Sequence, residues 1–189
     1  METADREIRE AGPADARAIA HVQVASWRAA YRGLLPDPLL EGLSVAGRET
    51  LWRGRLADEH ARRAGRRVDV ALEGTSPVGF IAAGPSEDGA GARAGETGAQ
   101  PGEIHAIYVH PDFWSVGVGR ALMASAVAHL AGIGASEALL WVLATNMHAR
   151  RFYELAGWSW DGRTRTRPLG DPSGLEVSVE EACYGRPLL

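Results

Sequence analysis

The stretch that decides the fold is Glu103-Ile104-His105-Ala106-Ile107-Tyr108-Val109, broken by His110-Pro111-Asp112 and resumed as Phe113-Trp114-Ser115-Val116-Gly117-Val118-Gly119-Arg120. Its first seven residues read as a β-strand, and the proline turn stops it. Two glycines then lead into helical text from Ala121 to Ala131. Glycine at a helix entry lets a ligand come close to the backbone, and the first-turn N–H groups have no partner inside the helix. Those groups and the helix dipole suit phosphate oxygens. Ala138 to Leu143 reads as a second apolar strand, and Thr145-Asn146 opens a helix that ends at Leu155-Ala156-Gly157.

Outward from that centre, Glu7 to Arg9 is a weak strand, and Gly12-Pro13-Ala14-Asp15 starts a helix ended by Gly33. Gln23, Trp27 and Tyr31 recur on one face of it. Leu39 to Leu43 reads as a further helical turn, and Ser44 caps an arginine-rich helix running to about Ala64. Val68 to Leu72 and Val78 to Ala83 form a hairpin. Residues 84–102 are rich in glycine, alanine and glutamate, which predicts a mobile loop joining two antiparallel strands. Trp158 to Asp161 and Val177 to Tyr184 are the last strands, joined by an arginine- and glycine-rich loop. The order β-α-α-β-β-β-α-β-α-β-β is that of an α/β chain, read as one domain over residues 1–189.

Composition narrows the functions. With 46% hydrophobic and 23% charged residues the chain has the make-up of a soluble domain. A net charge of -4 argues against nonspecific nucleic-acid or anionic-membrane binding. The N-terminal residues lack a basic, apolar signal, and no run of about 18 apolar residues occurs, so a cytoplasmic location is expected. Cys183 is the single cysteine, which excludes an internal disulfide and a multi-cysteine zinc site; no metal is expected. All twenty basic residues are arginine. The absence of lysine removes Schiff-base chemistry and a GK[ST] phosphate loop together. A dinucleotide fingerprint fails as well, because Leu122 stands where its third glycine belongs.

Asn146-Met147-His148-Ala149-Arg150-Arg151-Phe152-Tyr153 begins with a good N-cap and carries Tyr153 two turns on. By itself Tyr153 reads equally well as a core tyrosine. The region from about Ile104 to Trp158, however, resembles the core of the GNAT superfamily of acetyl-CoA-dependent N-acetyltransferases. The matching text is Val116-Gly117-Val118-Gly119-Arg120-Ala121-Leu122, then Asn146-x-x-Ala149 followed by Phe152-Tyr153-Glu154-Leu155-Ala156-Gly157-Trp158. The departure is Trp114, where that family often has glutamine or arginine.

The resemblance implies a GNAT fold, with a mixed, splayed central β-sheet and helices on both faces. It implies acetyl-CoA as cosubstrate: Ile107, Tyr108 and Val109 would pair with the pantetheine arm through their backbones. Val116, Gly117, Val118, Gly119 and Arg120 would hold the pyrophosphate, with Arg150 assisting, and Asn146 would bond the pantetheine chain. The Ile107 N–H would polarise the thioester carbonyl. Glu103 would be the general base and Tyr153 the acid that protonates the departing thiolate.

A lysine-like amine has a pKa near 10.4, so its neutral form costs about 4.6 kcal/mol at pH 7 and a base is needed. An ordinary carboxylate is a poor base for this task, and His105, on the face of Glu103, is the alternative or a relay. The first helix resembles the W-x-x-x-Y-x-G-x-x-P text of one bacterial GNAT branch. Trp27 and Tyr31 would then hold the acceptor, a primary amine of a small molecule or peptide, though both read equally as core aromatics. Direct transfer through a tetrahedral intermediate is expected, with a covalent route through Cys183 left open. A non-catalytic acyl-CoA sensor and an unrelated nucleotide-binding domain are the rival readings, and a homodimer is an open option.

Overall fold

The computed structural model of the chain describes residues 7–86, 100–170 and 175–188. In chain order the elements are β1 (Ile8–Glu10), α1 (Ala16–Ala30), α2 (Asp37–Glu41), α3 (Val45–Ala57), α4 (Glu59–Arg63), β2 (Arg67–Glu73) and β3 (Ser76–Pro85). There follow β4 (Gly102–Val109), α5 (Val118–Gly132), β5 (Glu137–Leu143), α6 (Met147–Leu155), β6 (Ser159–Gly170) and β7 (Glu176–Pro187).

The strands make one seven-stranded sheet in the order β1-β2-β3-β4-β5-β7-β6. Every neighbouring pair is antiparallel except β4 and β5, whose parallel pairing requires the crossover helix α5. That pairing is short. Gly102, Glu103 and Ile104 face Ala138, Leu139 and Leu140, and there it stops. β4 continues along β3 to Val109 with no described strand on its other edge, so the sheet is splayed at its centre, as expected.

α5 covers one face of the sheet with Leu122, Met123, Ala126 and Leu130, packed with Ile81, Ile104, Ala138 and Leu140. A Cβ on Gly102 would stand 2.7 Å from Leu130, so glycine sets the close approach of helix and strand beside the splay. The opposite face carries Ile19 and Val22 of α1 and Trp52 of α3, packed on Val70 and Phe80. Between those helices the Trp52 Nε1–H donates to Gln23 Oε1 at 2.7 Å, so both polar groups are satisfied although buried. Gln23 thus ties two helices together.

Three boundaries differ from the sequence reading. The helix expected from Ser44 to Ala64 breaks at Asp58, whose carboxylate accepts the Ala61 N–H at 3.0 Å and caps α4. β3 extends through Pro85 and β4 begins at Gly102, so the expected loop is shorter than residues 84–102, and 87–99 lie outside the described residues. The arginine-rich segment after Asp161 is strand, because it pairs with β7 and its arginines meet acidic partners. No described helix is long and apolar enough to cross a membrane.

Candidate active site

The splay leaves one edge of β4 open, and a bulge decides what faces it. Ala82 pairs with Ala106 but Ala83 pairs with Ile104, so His105 is an extra residue in β4. In consequence Ile104, Ile107 and Val109 pack on the α5 side, whereas Ala106 and Tyr108 pack on the α1 side. The His110 N–H donates to the Val78 carbonyl at 2.8 Å. By alternation the Tyr108 backbone also points at β3, and the polar groups of Ile107 and Val109 point into the opening. This corrects the expectation for Tyr108, which offers its side chain and not its backbone. The Val109 carbonyl is also engaged, accepting the Trp114 Nε1–H at 2.7 Å. The Ile107 N–H and C=O and the Val109 N–H remain for an extended ligand.

At the far end of the opening, Gly117 caps α5 with φ 91, a left-handed conformation that glycine adopts without strain. Ser115, two residues earlier, holds φ 62. The Ala121 N–H bonds the Gly117 carbonyl, so the preceding N–H groups of Val118, Gly119 and Arg120 are first-turn donors without helical partners. Val118 is buried, Val116 is half exposed, and a Cβ on Gly119 would press on the Phe152 ring at 3.3 Å. Gly119 therefore also serves the packing of α5 on α6. Arg120 is exposed and lines the cavity.

Asn146 caps α6, its Oδ1 accepting the Ala149 N–H at 3.1 Å, and its amide nitrogen remains as a donor. Arg150 is placed elsewhere than expected. Its Nε–H donates to the Tyr184 hydroxyl (2.9 Å) and Nη1 to the Ala144 carbonyl (2.9 Å), so it anchors α6 and does not line the cavity. Arg151, one position on, is exposed and does line it. Tyr153 is 8% exposed, and its hydroxyl makes no hydrogen bond to another described residue. Burial, and then the nearby Tyr108, push that hydroxyl far above its ordinary pKa, so it stays protonated at any physiological pH.

Glu103 is buried beside the splay. Its Oε2 accepts the Ser86 hydroxyl at 2.9 Å, and its Oε1 lies 3.5 Å from His105 Nδ1. Burial pushes its carboxyl up, but His105, Ser86 and the charge of Arg165 outweigh burial and hold it below the usual range. The group is a firmly ionised carboxylate with an imidazole beside it.

On the α1 side, Trp27 and Tyr31 meet edge to face at 5.2 Å, and Trp27 lies 6.2 Å from Tyr108. Burial, then Tyr108 and Tyr153, push the Tyr31 hydroxyl well up. The same wall holds residues that sequence reasoning missed. Glu181, on β7, is buried and receives Arg165 Nε–H at 2.8 Å and Arg167 Nε–H at 3.0 Å from β6. The Arg165 guanidinium also stacks 4.2 Å over Trp141. The alternating Arg163, Arg165 and Arg167 were the available signal, since a period of two marks one face of a strand.

Glu103, His105, Ile107, Asn146, Tyr153 and Glu181 line one cavity of about 950 Å³, which runs from Gly117 and Arg120, past Ile107 and Tyr153, to Glu103, Trp27 and Tyr31. That is the upper end of the size range of small-molecule sites. Cys183 is fully buried and its thiol is pushed up to about 12 by burial and then Asp161, which makes it a poor nucleophile. No cluster of three or more metal-ligating side chains occurs among the described residues.

Comparison with known proteins agrees with the fold. The sequence profile of the Acetyltransferase (GNAT) family matches residues 27–158. A probable N-acetyltransferase of Mycobacterium tuberculosis is 31% identical over 94% of this chain and 92% of its own. The N-acetyltransferase YuaI of Bacillus subtilis is 31% identical over 74% of this chain and 72% of its own. Among solved structures, the PaiA N-acetyltransferase of Thermoplasma acidophilum in complex with coenzyme A superposes with a TM-score of 0.71 at 18% identity, over 97% of this chain and 99% of that one. The chain therefore belongs to the GNAT family and is an acyl-CoA-dependent acetyltransferase.

Proposed function

We propose that the chain is a single acetyltransferase domain that moves the acetyl group of acetyl-CoA directly to a primary amine of a small molecule or peptide. The observation that carries this is the continuity of one cavity from the first turn of α5, through the β4 opening, to Glu103 and His105. A relative of similar fold is described in complex with coenzyme A, which supports the same ligand here.

The residues present fit an extended chain of amides that ends in a pyrophosphate. The Ile107 backbone and the Val109 N–H would pair with the pantetheine arm, the Asn146 amide would donate to it, and the first-turn N–H groups of α5 would meet the pyrophosphate. Arg120 and Arg151 add positive charge at that end. The thioester supplies an activated acetyl group; the Ile107 N–H, aimed into the opening, stabilises negative charge on its oxygen.

Proton removal falls to the pair Glu103 and His105. A carboxylate held below its usual range is too weak to deprotonate an ammonium group, whereas an imidazole is matched to neutral pH. His105 takes the proton at Nε2, and Glu103, on the Nδ1 side, orients the ring and balances its charge. Tyr153 donates a hydrogen bond to the departing sulfur. Its raised pKa makes complete transfer to a thiolate, whose acid has a pKa near 8.5 in a cysteine, uphill. Stabilisation by the hydrogen bond is thus its main contribution.

The test is release of free thiol from acetyl-CoA by the purified chain with a panel of primary amines. Amine-dependent release supports the proposal. Binding of acetyl-CoA with no release across the panel would identify a sensor instead.

A further inference from the structure

Between the β4 opening and the first turn of α5 the cavity wall is aromatic. The turn after β4 is closed by the Trp114 N–H on the Pro111 carbonyl at 3.1 Å, and it folds the indole back onto the strand. There the indole N–H takes the Val109 carbonyl at 2.7 Å. Trp114 is half-buried and lines the cavity. His148 comes from the other wall, in the first turn of α6, where it is exposed and lines the cavity as well. The two ring centroids are 5.9 Å apart and the ring planes are tilted by 31°, within the range of offset aromatic pairs. Together the rings make one surface that reaches from the end of β4 to α6.

The chemistry of this wall changes in a fixed order. First come the Ile107 backbone and the Val109 N–H, which suit amides. Next are Trp114 and His148, with Trp114 bonded to the last residue of β4 and followed by the turn into α5. Last are the first-turn N–H groups of α5, which suit phosphate. Coenzyme A has the same order along its length: amides, a quaternary carbon bearing two methyl groups, and the pyrophosphate. At the middle of that order the last backbone acceptor of β4, the Val109 carbonyl, already holds a protein donor. A ligand donor would have to displace the indole N–H and would gain little by the exchange. A branched apolar group needs no such partner, and two ring faces give it cover from water. A polar side chain at position 114 would offer donors to phosphate; an indole offers a face.

We infer that Trp114 and His148 are binding residues for the dimethyl-bearing segment of acetyl-CoA, between its amides and its pyrophosphate. They contribute affinity for the arm of the cosubstrate and none for its nucleotide. This rests on the seating of acetyl-CoA in the β4 opening proposed above, and it adds two side chains to a contact otherwise made by backbone groups. The hydrogen bond to Val109 has a second role, since it fixes the indole before the ligand arrives and so lowers the ordering cost of binding.

The experiment is titration calorimetry of the whole chain with coenzyme A, 4′-phosphopantetheine and adenosine 3′,5′-bisphosphate. Losing the cover over two methyl groups corresponds to about 10-fold in Kd. Trp114→Ala should therefore weaken coenzyme A and phosphopantetheine by about 10-fold and leave the bisphosphate unchanged. His148 is exposed, so His148→Ala keeps the fold even where the first variant does not. It should weaken the same two ligands by about 3-fold, again sparing the bisphosphate. A loss that the bisphosphate shares, or that phosphopantetheine escapes, places the nucleotide on these rings and overturns the inference. An unchanged Kd for coenzyme A in either variant overturns it too, and leaves the seat in the opening standing. Coenzyme A that fails to bind the wild-type chain overturns that seat, and this inference with it.

Discussion

Glu103 Oε1 and His105 Nδ1 lie 3.5 Å apart on one side of β4, with His105 the extra residue of a bulge. The bulge keeps this pair and Tyr108 on the side opposite α5 while turning Ile107 and Val109 to the α5 side. A regular strand would have placed Ile107 on the face of Glu103. The geometry allows the carboxylate to act through the ring.

Glu103 also links stability to pH. Its folded pKa lies below the usual 4.5, so its contribution is fully present above about 4.5 and is lost as pH falls through the folded value. The difference in Tm between the wild type and Glu103→Gln should be steady from pH 5.5 to pH 8, then shrink on acidification. Thermal unfolding across pH 3 to 8 checks this; a difference that grows in acid contradicts it.

Tyr153→Phe removes one hydroxyl from a buried ring and keeps the packing. A lost hydrogen bond to the leaving sulfur should lower kcat by about 100-fold with little change in the KM for acetyl-CoA. Steady-state kinetics decide it. Unchanged turnover would remove Tyr153 from the chemistry.

Gly117→Ala puts a side chain at φ 91, where an L residue is strained by about 1–2 kcal/mol. A chain of this size should lose roughly 2–8 °C in Tm, and relief of the strain should displace the α5 first turn and raise the KM for acetyl-CoA. Calorimetric melting and initial rates measure both. An unchanged Tm would mean that the turn relaxes freely.

Cys183→Ala should keep turnover within a few-fold, and no acetylated enzyme should accumulate. The buried thiol, pushed up to about 12, should react with iodoacetamide far more slowly at pH 8 than a free thiol near pKa 8.5. Intact-protein mass spectrometry follows both species.

The strand, glycine turn and helix that hold the centre were legible because each is local. Gly117 at the entry of α5 and Asn146 as the cap of α6 both stand where their residue types predict. What was not legible depends on pairing across the sheet. Arg165 and Arg167 meet Glu181 from 16 and 14 residues away, and nothing in a run of arginines names its carboxylate. Arg150 and Arg151 are neighbours in sequence but about 100° apart around α6, so one anchors the helix and the other lines the cavity. The extra residue at His105 has no signature in Glu103 to Val109, because a bulge is fixed by the register of its partner strand.

The central claim is that the splay beyond Ile104 and Leu140 seats the cosubstrate, and a crystal structure of the chain with coenzyme A tests it most directly. The account predicts the pantetheine arm running between β4 and β5, bonded to Ile107, with the pyrophosphate on the first-turn N–H groups of α5. Coenzyme A bound elsewhere, or absent from that opening at saturating concentration, would contradict it.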